Sequence, residues 1–170
     1  MNILFVSSEV APFAKSGGLG DVSAALPRQL HALGHDVRVV MPMYPRVLAP
    51  GRTFNEIVPE LVFTLGPNTV RVSIFESRMP GTNLPVYFVR CPSLYDRPSL
   101  YGNADDEHLR FTVLSWAALK VCQHLRFSPD MKWFVTAANR LNHVDLYHWL
   151  PADAARPLKL VKRIDAPRTP

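Results

Sequence analysis

Cysteine is nearly absent from this sequence, which has only Cys91 and Cys122 in 170 residues. Two cysteines are too few for a disulfide-stabilised secreted domain, and their separation does not match zinc-binding or redox motifs. No cluster of carboxylates, histidines and cysteines with metal-ligand spacing accompanies them. We therefore expect two buried thiols in a protein of a reducing compartment, with no metal ion and no cofactor.

Long hydrophobic runs are also missing. No apolar stretch approaches the roughly 18 residues that a membrane span needs. The start of the sequence, Met1–Val6, contains no basic residue, and Glu9 follows too soon for a signal peptide. The composition, with 48% hydrophobic and 19% charged residues, is that of a globular domain. These features predict a soluble, cytoplasmic protein of about one domain that does not contact a membrane.

A basic stripe of the kind that binds nucleic acid is lacking as well. The formal net charge is +5, but residues 152–170 carry five basic and two acidic side chains. The remaining residues therefore have a net charge of only +2. No element alternates basic and aromatic residues along one face, so we expect no nucleic-acid partner.

Two well-known nucleotide-binding signatures are absent. The run Gly17-Gly18-Leu19-Gly20 lacks the G-x-G-x-x-G spacing, and no ribose-binding acid follows the strand that ends at Met41-Pro42. A P-loop needs Lys and then Ser or Thr directly after its last glycine, but Asp21-Val22 stands there. Nicotinamide-dependent and P-loop enzymes are therefore excluded.

A strand, a glycine turn, a helix and a second strand follow one another at the N-terminus. Ile3–Val6 and Val37–Met41 are continuous apolar runs, typical of strands buried on both faces of a parallel sheet. Apolar residues at helical spacing lie between them, with Gly34 as a stop and Pro27 predicting a kink or a fresh helical start. The pattern predicts a βαβ unit. The expected apolar face of the helix consists of Leu19, Val22, Leu26, Leu30 and Leu33.

The middle of the chain is less regular. Leu61–Leu65 and Val70–Phe75 flank Gly66-Pro67-Asn68, which predicts a hairpin. Val86–Val89 is a further strand candidate. A long helix should follow, starting near Asn103 with acidic residues in its first turn and ending before Pro129. Its expected apolar face consists of Phe111, Leu114, Ala118, Val121 and Leu125.

The glycine turn has the composition of an anion site. Glycines at 17, 18 and 20 let the backbone approach a ligand closely, and the first N–H groups of the helix lack intrahelical partners. A phosphate suits that positive end of the helix dipole, and Lys15 could reach a diphosphate oxygen. A second interpretation stays open on spacing alone. In it the glycines only make a tight turn, Lys15 is solvated, and Asp21 is a helix-start acid.

These residues resemble the lysine-x-glycine-glycine-leucine signature of bacterial glycogen synthases and plant starch synthases. The signature lies in that family's usual place, just after the first strand, and the resemblance covers about three quarters of the chain. It favours the anion site over the purely structural turn. The matching segments are Ser8–Pro12, Lys15–Val22, Ala25–Pro27, Leu33–Val37, Met41–Tyr44, Leu94–Pro98, Tyr101-Gly102, Arg110-Phe111, Ala117–Leu119 and Ser128–Asp130.

The resemblance implies a Rossmann-like α/β fold, with a parallel sheet flanked by helices, as the N-terminal half of a GT-B glycosyltransferase. Such retaining enzymes transfer glucose from ADP-glucose to the non-reducing end of an α-1,4-glucan. By motif match, Lys15 would bind the nucleotide phosphates, and the amides of Gly17 and Gly18 would face the diphosphate. Asp21, near the sugar or acceptor, is the candidate catalytic residue. Nucleotide preference and oligomeric state are left open.

The resemblance fades after Pro129-Asp130. The family places a sugar-contacting histidine in the next segment, but Met131–Asn139 contains none, and His143 and His148 are out of register. We expect both to be ordinary surface or partly packed residues. The sequence thus predicts an incomplete synthase domain over residues 1–130 and a divergent, poorly ordered tail over residues 131–170, punctuated by prolines.

Two functions follow from this division. The first is the N-terminal part of a synthase, truncated or frameshifted, from the bacterial cytoplasm or a plant plastid, and inactive alone. The alternative is a non-catalytic module that binds glucan or sugar nucleotide on the same fold. A sucrose synthase-like enzyme is a third possibility, which the match at Tyr95–Pro98 disfavours.

Overall fold

A computed structural model describes residues 1–124, 133–138, 143–149 and 158–165, with side chains through residue 122. Within these ranges the chain forms one eight-stranded sheet, three α-helices and a short 3-10 helix at Pro45–Leu48. The strands are β1 Asn2–Val6, β2 Asp36–Pro42, β3 Asn55–Leu65, β4 Asn68–Arg78, β5 Pro85–Arg90, β6 Trp133–Ala138, β7 His143–Trp149 and β8 Leu158–Asp165, and the helices are α1 Gly18–Ala32, α2 Pro92–Tyr95 and α3 Glu107–His124.

The strand order across the sheet is β3-β4-β5-β2-β1-β6-β7-β8. The four central strands, β5, β2, β1 and β6, are parallel, and antiparallel pairs extend the sheet on both sides. The predicted βαβ unit is confirmed as β1-α1-β2. The sheet is therefore mixed rather than wholly parallel, because the connections at its edges are too short for helical crossovers.

Burial explains why the central strands read as continuous apolar runs. Leu4, Val37 and Val39 are fully buried, as are residues 86, 88 and 89 of β5. A strand covered on both faces needs apolar side chains at every position. Because β1 lies between β2 and β6, its carboxyl end is near the middle of the sheet. The segment that leads to the glycine turn starts there.

Helix α1 turns part of its expected apolar face to solvent, although Leu30 packs partly buried against the core. Val22, Leu26 and Leu33 are 59%, 44% and 63% exposed, and the buried positions are Gly20, Ser23, Ala24 and Pro27. The predicted burial was wrong for Val22, Leu26 and Leu33, because helix α1 packs on β2 mainly through small residues, which permit a close approach. The helix continues through Pro27, so a fresh start there was also wrong, and it ends before Gly34 at φ +85°.

The predicted hairpin is confirmed, with β3 and β4 joined at Gly66-Pro67 and Leu65 paired with Asn68. Gly66 has φ +59°, as a glycine in the first central position of a tight hairpin turn requires. The long helix is confirmed but begins at Glu107, four residues later than Asn103, because a separate turn precedes it. Its buried face is formed by Arg110, Val113, Leu114, Ala117, Ala118, Val121 and Cys122; Phe111 is only half-buried, and Leu125 lies outside the described residues.

The segment after residue 131 contains three strands. β6 pairs with β1 in parallel. β7 and β8 then add antiparallel strands to the same sheet. His143 and His148 belong to β7, and their expected side-chain environment lies outside the described part of the chain. The proposed boundary near residue 130 also falls outside it and stays a prediction.

Two expectations from composition can be compared with the described residues. Cys91 and Cys122 are free, buried thiols, as predicted, and burial raises the pKa of Cys122 to about 12. No helix among these residues is long and apolar enough to cross a membrane.

The orientation of α1 can be tested with matched substitutions. Ala24→Gln should lower the free energy of unfolding by about 2 kcal/mol, because it forces a larger polar side chain between α1 and the sheet. Leu26→Gln should change it by less than about 0.5 kcal/mol, because that side chain is exposed. Urea denaturation followed by circular dichroism measures both. Equal losses for the two variants would contradict the observed orientation.

Candidate functional site

The glycine turn joins the segment after β1 to the first turn of α1. Gly17 is the N-cap of α1, with φ −159° and ψ −163°, and no side chain caps the helix. The N–H of Gly18 and those directly after it have no intrahelical acceptor. They lie at the positive end of a 15-residue helix, where an anion is stabilised.

The three glycines are under different structural constraints. A Cβ built on Gly20 would lie 2.4 Å from the Cβ of Lys15 and 3.4 Å from a carboxylate oxygen of Glu9, so the fold itself excludes a side chain there. A Cβ on Gly17 or Gly18 would meet nothing within 4 Å, and neither residue has a positive φ. Packing and backbone conformation therefore do not require glycine at 17 and 18. Close approach of a ligand is a reason that remains.

A buried carboxylate lies directly behind the turn. Glu9 is 0% exposed, and its Oε2 accepts the backbone N–H of Ser16 at 2.6 Å and that of Gly17 at 3.3 Å. Its Oε1 accepts the hydroxyl of Ser16 at 2.8 Å. These bonds satisfy a buried charge that would otherwise be strongly unfavourable. Glu9 thus holds the backbone of the turn from its inner side.

The same contacts set the pKa of Glu9. Burial alone would raise it, but hydrogen bonds from the Tyr101 side chain and from Ser16 and Gly17 outweigh burial and lower the pKa below its usual value. A lowered carboxyl pKa contributes stability that is present above the unfolded pKa and lost as pH falls through the folded one. Glu9 is therefore charged at neutral pH, and acid weakens its hold on the turn.

Further contacts fix the segment between Glu9 and the turn. Val10 and Ala14 pair across a tight loop, and the N–H of Ala11 donates to the carbonyl of Gly20 at 3.0 Å. The guanidinium of Arg52 donates to the carbonyl of Pro12 at 2.9 Å. The loop is consequently attached both to the first turn of α1 and to the chain beyond β2.

Buried hydroxyls connect β1 to α1. The hydroxyls of Ser7 and Ser23 lie 2.9 Å apart, and Ser7 also donates to the carbonyl of Glu9 at 2.8 Å. Both serines are almost fully buried. The hydroxyl of Ser8 lies 2.8 Å from that of Tyr101, which comes from the loop before α3. The end of β1 is therefore bound to two distant parts of the chain.

Lys15 and Asp21 form an ion pair at the mouth of the turn. The Nζ of Lys15 lies 2.7 and 2.8 Å from the two carboxylate oxygens of Asp21, and the side chains are 50% and 59% exposed. An exposed pair of this kind is stabilised by only about 0–1 kcal/mol. Separating Asp21 from Lys15 therefore costs little free energy, so a phosphate could replace Asp21 as the partner of Lys15.

The structure brings the four predicted site residues to one place, but it does not leave all of them free. The N–H of Gly17 donates to Glu9, so an anion would compete for it, whereas Gly18 lies in open space. The assigned roles of Lys15, Gly17, Gly18 and Asp21 remain predictions. Among the residues described here, no group of three or more His, Cys, Asp or Glu side chains could hold a metal ion.

Sequence reasoning missed Glu9 and Tyr101 as members of the site. Both stood in segments that matched the family, but no local pattern assigned them a role. The offset of seven residues between Glu9 and Ser16 follows neither helical nor strand periodicity. An acidic residue immediately after a buried strand and shortly before a glycine turn was the available signal.

Comparisons with known proteins extend over the same residues. A family profile described as starch synthase catalytic domain matches residues 2–132. A second profile, described as YNCE-like beta-propeller, matches residues 101–170 and overlaps the first. Glycogen synthase from Photobacterium profundum is 42% identical over 135 residues, which cover 77% of this chain and 26% of that protein. Glycogen synthase from Myxococcus xanthus is 43% identical over 136 residues, with 77% and 28% covered.

A solved structure is similar as well. It is the catalytic domain of starch synthase IV from Arabidopsis thaliana bound to ADP and acarbose, with a TM-score of 0.65 and 30% identity. The similarity covers 76% of this chain and 26% of that one. The chain therefore spans about a quarter of the length of the relatives it matches.

The different requirements at the glycines predict different stabilities. Gly20→Ala should lower the free energy of unfolding by about 1–3 kcal/mol, because its Cβ overlaps Lys15. Gly18→Ala should leave it unchanged or raise it by up to about 1 kcal/mol, because alanine favours the helix and meets no neighbour. Chemical denaturation decides between these outcomes. A Gly18→Ala variant as unstable as Gly20→Ala would show that packing constrains both positions.

Proposed function

The chain belongs to the family of the starch synthase catalytic domain, and we propose that it is the N-terminal, diphosphate-binding part of a glycogen or starch synthase. The reaction proposed for the complete enzyme transfers glucose from ADP-glucose to the non-reducing end of an α-1,4-glucan and releases ADP. The ADP and acarbose of the starch synthase IV structure support a nucleotide and a glucan as the ligands.

The observation that carries this proposal is the open space at Gly17 and Gly18. Neither glycine is required by packing or by a positive φ, and both lie where the dipole of α1 favours an anion. Lys15 adds a mobile cation within reach of the same space. Preorganised N–H donors together with a lysine can stabilise the charge that develops on a leaving diphosphate.

Each residue has a distinct part in the proposed reaction. Lys15 leaves Asp21 and pairs with the diphosphate, while Gly18 donates its N–H to a phosphate oxygen. Gly17 contributes through its lack of a side chain, and through its N–H if the bond to Glu9 opens. Asp21, released from Lys15, accepts a hydrogen bond from a hydroxyl of the glucosyl group or acceptor.

The proposal also covers the organisation of the chain. The synthase-like part runs to about residue 130, since the family match ends at residue 132. Residues 131–170 form a tail of different character, over which the propeller profile matches. A bacterial cytoplasmic location agrees with the bacterial origin of the glycogen synthases named above.

Binding of ADP tests the anion site. Lys15→Ala should weaken ADP binding about five- to thirtyfold, because it removes one charge-assisted contact to the diphosphate. Isothermal titration calorimetry with ADP, ADP-glucose and UDP-glucose measures the effect. Arg71→Ala is the matched control, because it removes an exposed, ion-paired cation from the β3–β4 hairpin, and it should bind ADP like the wild type.

Equal affinity of the wild type and Lys15→Ala for ADP would remove Lys15 from the site. Binding of maltooligosaccharide that is independent of Lys15, with no binding of ADP, would instead favour the glucan-binding module.

Glucosyl transfer by the purified 170-residue chain should be undetectable. Among the described residues, the proposed donors come from the single segment Lys15–Gly18 and would contact a diphosphate from one side. Incorporation of labelled glucose from ADP-glucose into glycogen measures transfer. Elongation that requires Lys15 would show that these residues suffice for catalysis.

A further inference from the structure

The feature that the proposed chemistry leaves unused is the buried carboxylate of Glu9. A negative charge placed behind an anion site opposes binding by simple electrostatics, and an acidic residue is almost never fully buried without a specific partner. Here the partners are the backbone N–H groups of Ser16 and Gly17, at 2.6 and 3.3 Å. The carboxylate therefore contacts the backbone that immediately precedes the proposed phosphate donors.

The surroundings of Glu9 make its position well defined. The Ser16 hydroxyl donates to its other oxygen at 2.8 Å, and Tyr101 adds a further side-chain hydrogen bond. Gly20 packs against it closely enough that a Cβ would come within 3.4 Å of Oε2. The carboxylate is thus held from the loop before α3, from the turn and from the first turn of α1.

We propose that Glu9 is a positioning residue that holds the Ser16-Gly17 backbone in the conformation in which the Gly18 N–H and Lys15 can receive a diphosphate. It acts through the turn and contacts no substrate itself. It accepts the N–H groups of Ser16 and Gly17, while the N–H groups at the start of α1 have no side-chain cap and are left for a ligand. This inference rests on the proposed function, which names the anion.

Electrostatics and positioning predict opposite signs for the same substitution. Glu9→Ala removes a negative charge close to the site, which on charge alone should tighten anion binding. Without the acceptor, the N–H groups of Ser16 and Gly17 lose their partner and the turn loses its geometry, which should weaken binding. Displacing a binding group from its proper position commonly lowers the binding affinity by about tenfold or more.

The experiment measures binding of ADP and of inorganic pyrophosphate to the 170-residue chain. We expect Glu9→Ala to bind both about tenfold more weakly than the wild type. Glu9→Gln, which keeps an acceptor oxygen without the charge, should restore the affinity to within about threefold. Glu60→Ala, which removes an exposed carboxylate paired with Arg71, should bind like the wild type.

A second substitution, Asp21→Asn, should change the affinity for pyrophosphate in the opposite direction. This substitution releases Lys15 from an exposed ion pair, so pyrophosphate binding should tighten, by about two- to fivefold. Weaker binding in Glu9→Ala and tighter binding in Asp21→Asn would together separate positioning from charge. Affinity in Glu9→Ala equal to or above that of the wild type would overturn the proposal.

A nuclear magnetic resonance titration of the wild type requires neither a ligand nor a folded Glu9→Ala variant. The backbone N–H resonances of Ser16 and Gly17 should shift together with a group whose pKa lies below that of an ordinary glutamate, and Glu9→Gln should abolish this shift. Burial raises the pKa of Tyr44, whose charge is also coupled to that of Glu9, so Tyr44 does not titrate in the acid range of this experiment. If the two resonances do not titrate in the wild type, Glu9 does not hold the turn.

The two proposals fail in distinguishable ways. A wild-type chain that binds neither ADP nor pyrophosphate contradicts the proposed function, and the N–H titration then decides the role of Glu9 alone. A chain that binds ADP through Lys15, with Glu9→Ala folded and unimpaired, retains the proposed function and loses this inference. If Glu9→Ala does not fold, the N–H titration decides the role of Glu9.

Discussion

The glycine turn depends on the hydrogen bonds that the fully buried carboxylate of Glu9 accepts from its backbone. Ser16 and Gly17 donate their N–H groups to it, and the following N–H groups, at the start of α1, have no side-chain cap. A buried charge is tolerated only where donors surround it, and here those donors are the backbone of the turn itself. The charge, the turn and the helix terminus therefore form one unit. Tyr101 and Ser8 connect that unit to the loop before α3.

Much of the fold follows from local pattern because local geometry decides it. The Gly66-Pro67 hairpin needs one residue with positive φ, and the sequence supplies a glycine there. The short apolar runs at β1 and β2 are typical of buried strands, and both are strands in the structure. Helix α1 differed because both of its faces carry apolar residues. The leucines formed the clearer stripe, but the residues most buried in the helix are the smaller ones at 20, 23 and 24.

The candidate site divides along a similar line. Lys15 and the glycines were predictable because their chemistry lies within seven consecutive residues. Glu9 was not, because its role depends on a three-dimensional contact that no periodicity encodes. The ion pair between Lys15 and Asp21 was missed for a related reason: each side chain was assigned to a ligand, and their mutual attraction was not considered.

The central place of β1 has a consequence for the order in which the molecule assembles. Phe5 pairs with Val39 on one side and with Val135 on the other. The first pairing closes a short loop, whereas the second joins residues about 130 positions apart, and contacts so distant in sequence form slowly. During synthesis β1 therefore has one open edge until β6 has left the ribosome. The strand made first thus gains its second neighbour only after β2, β3, β4 and β5 have been synthesised.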